Sequence, residues 1–297
     1  MEFVTSHVFD RIYVEISNIC NLQCDFCPPV LRDKKVMAIE SFEKIVSQIQ
    51  GKTKEICLHL MGEPLGHPHL KEILDICVKH DVKVNFTTNG VLLNHQKVEL
   101  LLNPIVRQVN ISIHSFEANH KEKDVTPYMD KVFNFVDMAF EKRPDIYINY
   151  RIWDLADPLS LSPKNALIRK MIENKYSFDF ATLKIDIRRV KGYKIINRLY
   201  VNFDSRFEWP SMNQPIRSEK GFCHALTHHI GIHADGTVVP CCLDKEASIN
   251  LGNCLETDLK TILMGDKASQ MRKGFAAKTL VESLCQRCDF AKRFDRK

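Results

Sequence analysis

No apolar run in this 297-residue chain approaches the ~18 residues of a membrane-spanning helix, so a helical membrane protein is excluded. The opening residues, Met1 to Asp10, hold no basic segment followed by an apolar stretch, so no secretory signal is expected and the protein is expected to stay in the cytoplasm. An excess of one charge is lacking too. Forty-two Lys and Arg face 37 Asp and Glu, and no concentrated basic stripe marks a dedicated nucleic-acid binder, which argues against a nucleic-acid partner. Internal repeats and low-complexity tracts are absent. With 44% hydrophobic and 27% charged residues, the composition excludes disorder for most of the chain. Cysteine is missing from a long middle stretch, between Cys77 and Cys223, although the chain has eleven.

Those eleven fall at Cys20, Cys24, Cys27, Cys57, Cys77, Cys223, Cys241, Cys242, Cys254, Cys285 and Cys288. The cytosol keeps thiols reduced, so clustered cysteines point to metal or redox chemistry rather than to disulfides. Cys57 and Cys77 sit on apolar faces and read as small core residues.

The first two-thirds alternates strand and helix patterns. Strands are expected at Arg11–Ser17, Glu55–Leu60, Val82–Thr87, Gln108–Ile113 and Tyr147–Trp153, with a sixth at Thr182–Ile187. Helices are expected at Ser41–Gln50, His69–His80, Gln96–Leu102, Val125–Lys142 and Pro163–Asn174, from apolar residues at 3.6-residue spacing. This alternation predicts repeated βα units on a parallel sheet, with too few strands for a closed eight-stranded barrel and hence a partial one. The pattern changes after about residue 190. Tyr193–Phe203 reads as one or two irregular strands, Arg206–Lys220 as a connector, and Asp235-Gly236 as a hairpin turn between Thr227–His233 and Thr237–Val239.

Cys20, Cys24 and Cys27 form Cys-x3-Cys-x2-Cys directly after the first expected strand. A 4Fe–4S cluster normally takes four protein thiolates, so three leave one iron open to another ligand. Phe26 precedes the third Cys, and Met61-Gly62-Glu63-Pro64 follows the second strand. Together these resemble the radical S-adenosylmethionine (SAM) superfamily, in which the open iron chelates SAM and the reduced cluster cleaves it to methionine and a 5′-deoxyadenosyl radical. Met61 departs from the commoner first glycine of Gly-Gly-Glu-Pro. The resemblance implies a partial (β/α)6 core over 10–190, a connector over 191–220 and a small α+β module over 221–297. It implies Gly62 and Glu63 at the SAM ammonium, with Asn89 of Thr88-Asn89-Gly90 and Ser112 as further SAM contacts. Arg151 would pair with the SAM carboxylate or hold substrate.

The C-terminal text, Asp235-Gly236-Thr237-Val238-Val239-Pro240-Cys241-Cys242 and Leu251-Gly252-Asn253, resembles the twitch or SPASM-type extensions of that superfamily. By that pattern Cys223, Cys241, Cys285 and Cys288 would ligate a second, auxiliary 4Fe–4S cluster. Cys241 and Cys242 point opposite ways on a strand, and Cys241, which follows Pro240, is preferred. Cys254 is spare, and His228, His229 and His233 are not taken as ligands. Four cysteines with a Cys-x2-Cys pair also suit structural zinc, and that reading stays open here.

The resemblance implies an enzyme. A fully cysteine-ligated auxiliary cluster suits electron transfer, so the expected reaction is dehydrogenation of a small molecule. A peptide or protein maturase is the alternative, RNA modification a third reading, and a non-enzymatic iron–sulfur or zinc protein a fourth. An electron donor such as flavodoxin or ferredoxin is implied. No catalytic acid or base is identified.

Overall fold

A computed structural model of the chain describes residues 7–120, 123–152, 163–185, 192–204 and 208–294. The chain divides into two compact units that do not follow its linear order: Met1–Cys20, Val30–Val84 and Phe207–Lys297 form one, and Asn21–Pro29 with Asn85–Arg206 the other.

In the first unit, strand β1 (Arg11–Val14) lies between two parallel neighbours. On one side β2 (Ile56–Cys57) pairs Ile12 with Ile56 and Tyr13 with Cys57. Helices α1 (Ile39–Ile49) and α2 (Leu70–Lys79) flank β2 in sequence. Helix α1 buries Phe42, Ile45, Val46 and Ile49, the stripe expected of an amphipathic helix, and Cys77 is fully buried on α2 as a core residue. On the other side of β1 lies a strand from the C-terminal third, β8 (His229–Ile232), with Arg11 opposite His229 and Val14 opposite Ile232. Ile12, Val14, Ile230 and Ile232 are all fully buried, so both strands have an apolar face to hide and an edge to cover. The hairpin to β9 (Thr237–Val239) turns at Asp235-Gly236 as expected. Asp235 Oδ1 accepts from Thr237 N at 2.9 Å and Gly236 has φ +87°. β10 (Gly252–Asn253) pairs antiparallel with β9, and helices α7 (Leu259–Met264), α8 (Asp266–Ala276) and α9 (Ser283–Gln286) follow.

In the second unit the strand order is β3 (Val84–Thr88), β4 (Val106–Ser112), β5 (Tyr147–Ile152), β7 (Leu199–Phe203), β6 (Gly192–Ile196). β4, β5 and β7 run parallel, while β6 returns as a hairpin partner of β7. Helices α3 (His95–Leu101), α4 (His114–Asn119), α5 (Thr126–Lys142) and α6 (Pro163–Tyr176) connect them. The strand expected at Thr182–Ile187 is corrected. Phe180–Thr182 is a single 3-10 turn capped by Asp179, whose Oδ1 accepts from Ala181 N at 2.8 Å, and residues 186–187 lie outside those described. The place beside β5 belongs to β7, where Leu199, Val201 and Phe203 are buried at every second position. The α/β class and parallel strands are as the sequence predicts.

Candidate cofactor sites

In the first unit the chain leaves β2 and turns at Gly62. Its φ is +79°, and a Cβ there would stand 2.2 Å from Ser17 O and 3.0 Å from Ile19 O. Glu63 N donates to Ile19 O at 3.0 Å. The turn is therefore pressed onto the backbone just before Cys20, an approach only glycine allows. Glu63 is buried, and its Oε1 accepts from Leu65 N at 3.1 Å, capping the 3-10 turn Pro64–Gly66. Cys20 is exposed.

In the second unit Cys27 N donates to Cys24 O at 3.0 Å, which folds the loop so that Cys27 is exposed and Cys24 half-buried. Asn119, at the end of α4, holds this loop twice. Its Nδ2 donates to Cys24 Sγ at 3.0 Å and its Oδ1 accepts from Gln23 N at 2.8 Å. Burial raises the Cys24 thiol above its ordinary range, and the Asn119 hydrogen bond opposes that rise. Asn89 Nδ2 donates to Asn21 Oδ1 at 2.8 Å, while its Oδ1 accepts from Val91 N at 2.9 Å. The Asn89 amide thus ties the turn after β3 to the thiol loop. The Phe26 ring lies 4.9 Å from that of His114, whose Nδ1 lies 2.9 Å from Arg151 O. Ser112 and Arg151 are register partners on β4 and β5.

Sequence reasoning missed Asn119, and it missed a row of amides across the strands of this unit. Asn202 Nδ2 donates to Asn149 Oδ1 (3.2 Å), Asn149 Nδ2 to Asn110 Oδ1 (2.9 Å) and Asn110 Nδ2 to Asn85 Oδ1 (2.7 Å). Asn110 Nδ2 also donates to Phe86 O at 2.8 Å. A carbonyl can only accept, so this bond fixes which end of Asn110 is nitrogen, and the direction of the row follows. Asn110 and Asn149 share a strand face with Ser112 and Arg151. The available signal was polar residues at alternate positions of otherwise apolar strands.

The C-terminal thiols all lie in the first unit. Cys241 is pushed far up by burial and by the neighbouring thiol groups of Cys242, Cys223 and Cys285. Cys223 rises to about 11 by burial, with Cys288 and Cys242 adding to it. Burial, then Cys223 and Cys288, act likewise on Cys285. Each of the four expected ligands therefore lies within electrostatic reach of others in the set. Cys242 also faces Tyr13, whose phenol interacts with it, and Cys254 turns away to donate from Sγ to Gly236 O at 3.2 Å. A group of half-buried thiols is the donor set that iron–sulfur chemistry needs. Among the described residues no group of three or more Cys, His, Asp or Glu side chains is already placed to hold a metal ion.

The radical SAM superfamily domain matches residues 14–153, and SPASM, an iron–sulfur cluster-binding domain, matches residues 223–289. The chain therefore carries a radical SAM domain and, at its C-terminus, a SPASM iron–sulfur cluster-binding domain. Its cofactors are SAM, the 4Fe–4S cluster of the radical SAM domain and further iron–sulfur chemistry in the C-terminal domain, which answers the zinc alternative.

Solved structures share the fold, BtrN and SuiB among them. BtrN in complex with AdoMet and 2-DOIA aligns with a TM-score of 0.60 at 17% identity over 96% of this chain and 94% of that one. SuiB of Streptococcus suis bound to its precursor peptide SuiA aligns with a TM-score of 0.62 at 16% identity over 95% of this chain and 71% of that one. By sequence, the subtilosin biosynthesis protein AlbA of Bacillus subtilis (strain 168) is 34% identical over 92 residues, 29% of this chain and 20% of AlbA. The GTP 3′,8-cyclase of Aquifex aeolicus (strain VF5) is 27% identical over 146 residues, 46% of this chain and 45% of the cyclase. The chain thus spans less than half the length of these two relatives. Among the described residues no helix is long and apolar enough to cross a membrane.

Proposed function

We propose that this radical SAM enzyme is an oxidoreductase that dehydrogenates a small polar molecule, with the C-terminal cluster as electron acceptor. The grouping of Cys223, Cys241, Cys285 and Cys288 carries this reading. Four thiolates on one cubane leave no iron open to substrate, so such a cluster serves electron transfer.

When bound, SAM and the first cluster supply hydrogen-atom abstraction; the chain's own residues bind and orient. Cys20, Cys24 and Cys27 would hold the first cluster. Gly62 lets the turn approach the backbone before Cys20, and Glu63 offers a buried carboxylate to the SAM ammonium. Asn89 keeps the thiol loop in place through Asn21, while Ser112 and Arg151, register partners on β4 and β5, would serve as further SAM contacts. The catalytic core spans 10–190, the connector 191–220 and the auxiliary module 221–297. A flavodoxin or ferredoxin supplies the electron, and the reaction takes place in the cytoplasm.

The second reading, a peptide maturase, is favoured by the similarity to SuiB, solved with its precursor peptide, and to the bacteriocin biosynthesis protein AlbA. Iron and sulfide analysis with Mössbauer spectroscopy on anaerobically reconstituted protein tests the cluster assignment. We expect about eight irons, falling to about four in Cys20→Ala/Cys24→Ala/Cys27→Ala and in Cys223→Ala/Cys241→Ala. About four irons in the wild type, all lost in the first variant, would remove the electron-acceptor argument.

A further inference from the structure

Glu15 follows β1 and its side chain is fully buried. Its carboxylate gathers partners from three separate stretches of the first unit. Arg32 Nη2 donates to Oε1 at 3.0 Å and to Oε2 at 2.9 Å. Met61 N donates to Oε2 at 3.3 Å, and Ala234 N to Oε1 at 3.3 Å. Arg32 is held in turn, with Nε donating to Lys245 O at 2.6 Å and its backbone N to Glu246 Oε2 at 3.2 Å.

Each of the three stretches adjoins residues that the proposed function assigns to a cofactor. Arg32 lies just past the Cys20–Cys27 loop in sequence. Met61 opens the turn that carries Gly62 and Glu63. Ala234 sits at the hairpin leading to Cys241. Met61 is also where the sequence departs from the family's Gly-Gly-Glu-Pro, and what the structure uses there is its backbone N–H, with the side chain buried.

A buried ion pair is weak evidence for stability, because an apolar pair of similar volume often packs as well or better. An apolar pair would nevertheless give Met61 N and Ala234 N no acceptor. What the carboxylate supplies is placement of backbone.

We propose that Glu15 is the positioning residue of the SAM-binding turn. Its carboxylate sets Met61, and through Met61 the Gly62–Glu63 backbone, while Arg32 ties the same carboxylate to the C-terminal hairpin. The inference rests on the assignment of Gly62 and Glu63 to SAM, and is independent of whether the reaction is an oxidation.

The test uses reconstituted full-length protein and SAM itself, and reads SAM affinity by equilibrium dialysis together with the change that SAM makes in the EPR spectrum of the reduced first cluster. Glu15→Gln leaves Arg32 facing a neutral amide and can fail to fold. Glu15→Leu/Arg32→Met replaces the ion pair with apolar volume and keeps the fold testable. We expect the double variant to melt lower than the wild type, because Met61 N and Ala234 N lose their acceptor, but to stay folded and retain its iron, and to bind SAM about tenfold to a hundredfold more weakly, the value of one hydrogen bond to a charged group. Wild-type SAM affinity in the double variant overturns the proposal. Gly62→Ala separates the two levels. If it binds SAM normally, the turn is wrongly assigned and the proposal falls with it. If it loses SAM while Glu15→Leu/Arg32→Met keeps it, the proposal alone falls.

Discussion

His233 is fully buried on the turn side of β8, with Nε2 2.9 Å from Asp244 O and Nδ1 without a hydrogen-bond partner. Burial, with Arg32 adding repulsion, lowers it from 6.5 to about 4. The unfolded chain therefore binds the proton first. Stability is fully present above pH 6.5 and falls as the pH drops toward about 4, by on the order of 3 kcal/mol at the limit. His229, also lowered to about 4 by burial, acts in the same sense. Melting curves between pH 7 and 4 should show a shallower loss for His233→Gln than for the wild type; equal slopes would mean that His233 does not carry the effect. At this scale Gly62 and Glu63 stood out by their resemblance to the family's Gly-Gly-Glu-Pro, and what the structure adds is a turn that only glycine fits. Glu15 and Asn119 were not. Asn119 meets Cys24 across 95 positions, and no local pattern records such a partnership.

Among the elements, the amide row is held by one residue. Asn110 donates to Asn85 Oδ1 and Phe86 O and accepts from Gln108 Nε2 and Asn149 Nδ2. Asn110→Leu is expected to destabilise the protein by about 2–4 kcal/mol in urea unfolding, since several polar groups would lose partners at once. Asn202→Leu, at the end of the row, should cost far less. The strands themselves were legible from alternation, which is local. Which strand would lie sixth was not. Thr182–Ile187 and Leu199–Phe203 both carry β-branched or aromatic residues, and only the second places Leu199, Val201 and Phe203 against a buried face beside β5.

Over the whole molecule, the cysteine spacing showed two thiol groups, and the turn signal at Asp235-Gly236 showed the hairpin between them and the chain's end. The register of β1 against β8 was out of reach, because more than two hundred residues separate its partners and only the burial of both strands brings them together. Iron analysis and SAM dialysis bear on this scale as well, since each reads the assembled protein.

β1 completes its ladder with a strand that leaves the ribosome late. Until His229–Ile232 has been made, one edge of the first strand has no partner, and Ile12 and Val14 lack half of their cover. The nascent chain then presents an open strand edge of the kind that recruits other chains. Release of a chain ending at residue 220 should yield aggregates rather than a smaller enzyme, as sedimentation of the expressed fragment would show. Maturation therefore has an order imposed by translation: the thiols made first wait for a segment made more than two hundred residues later before the strand leading to them has both neighbours.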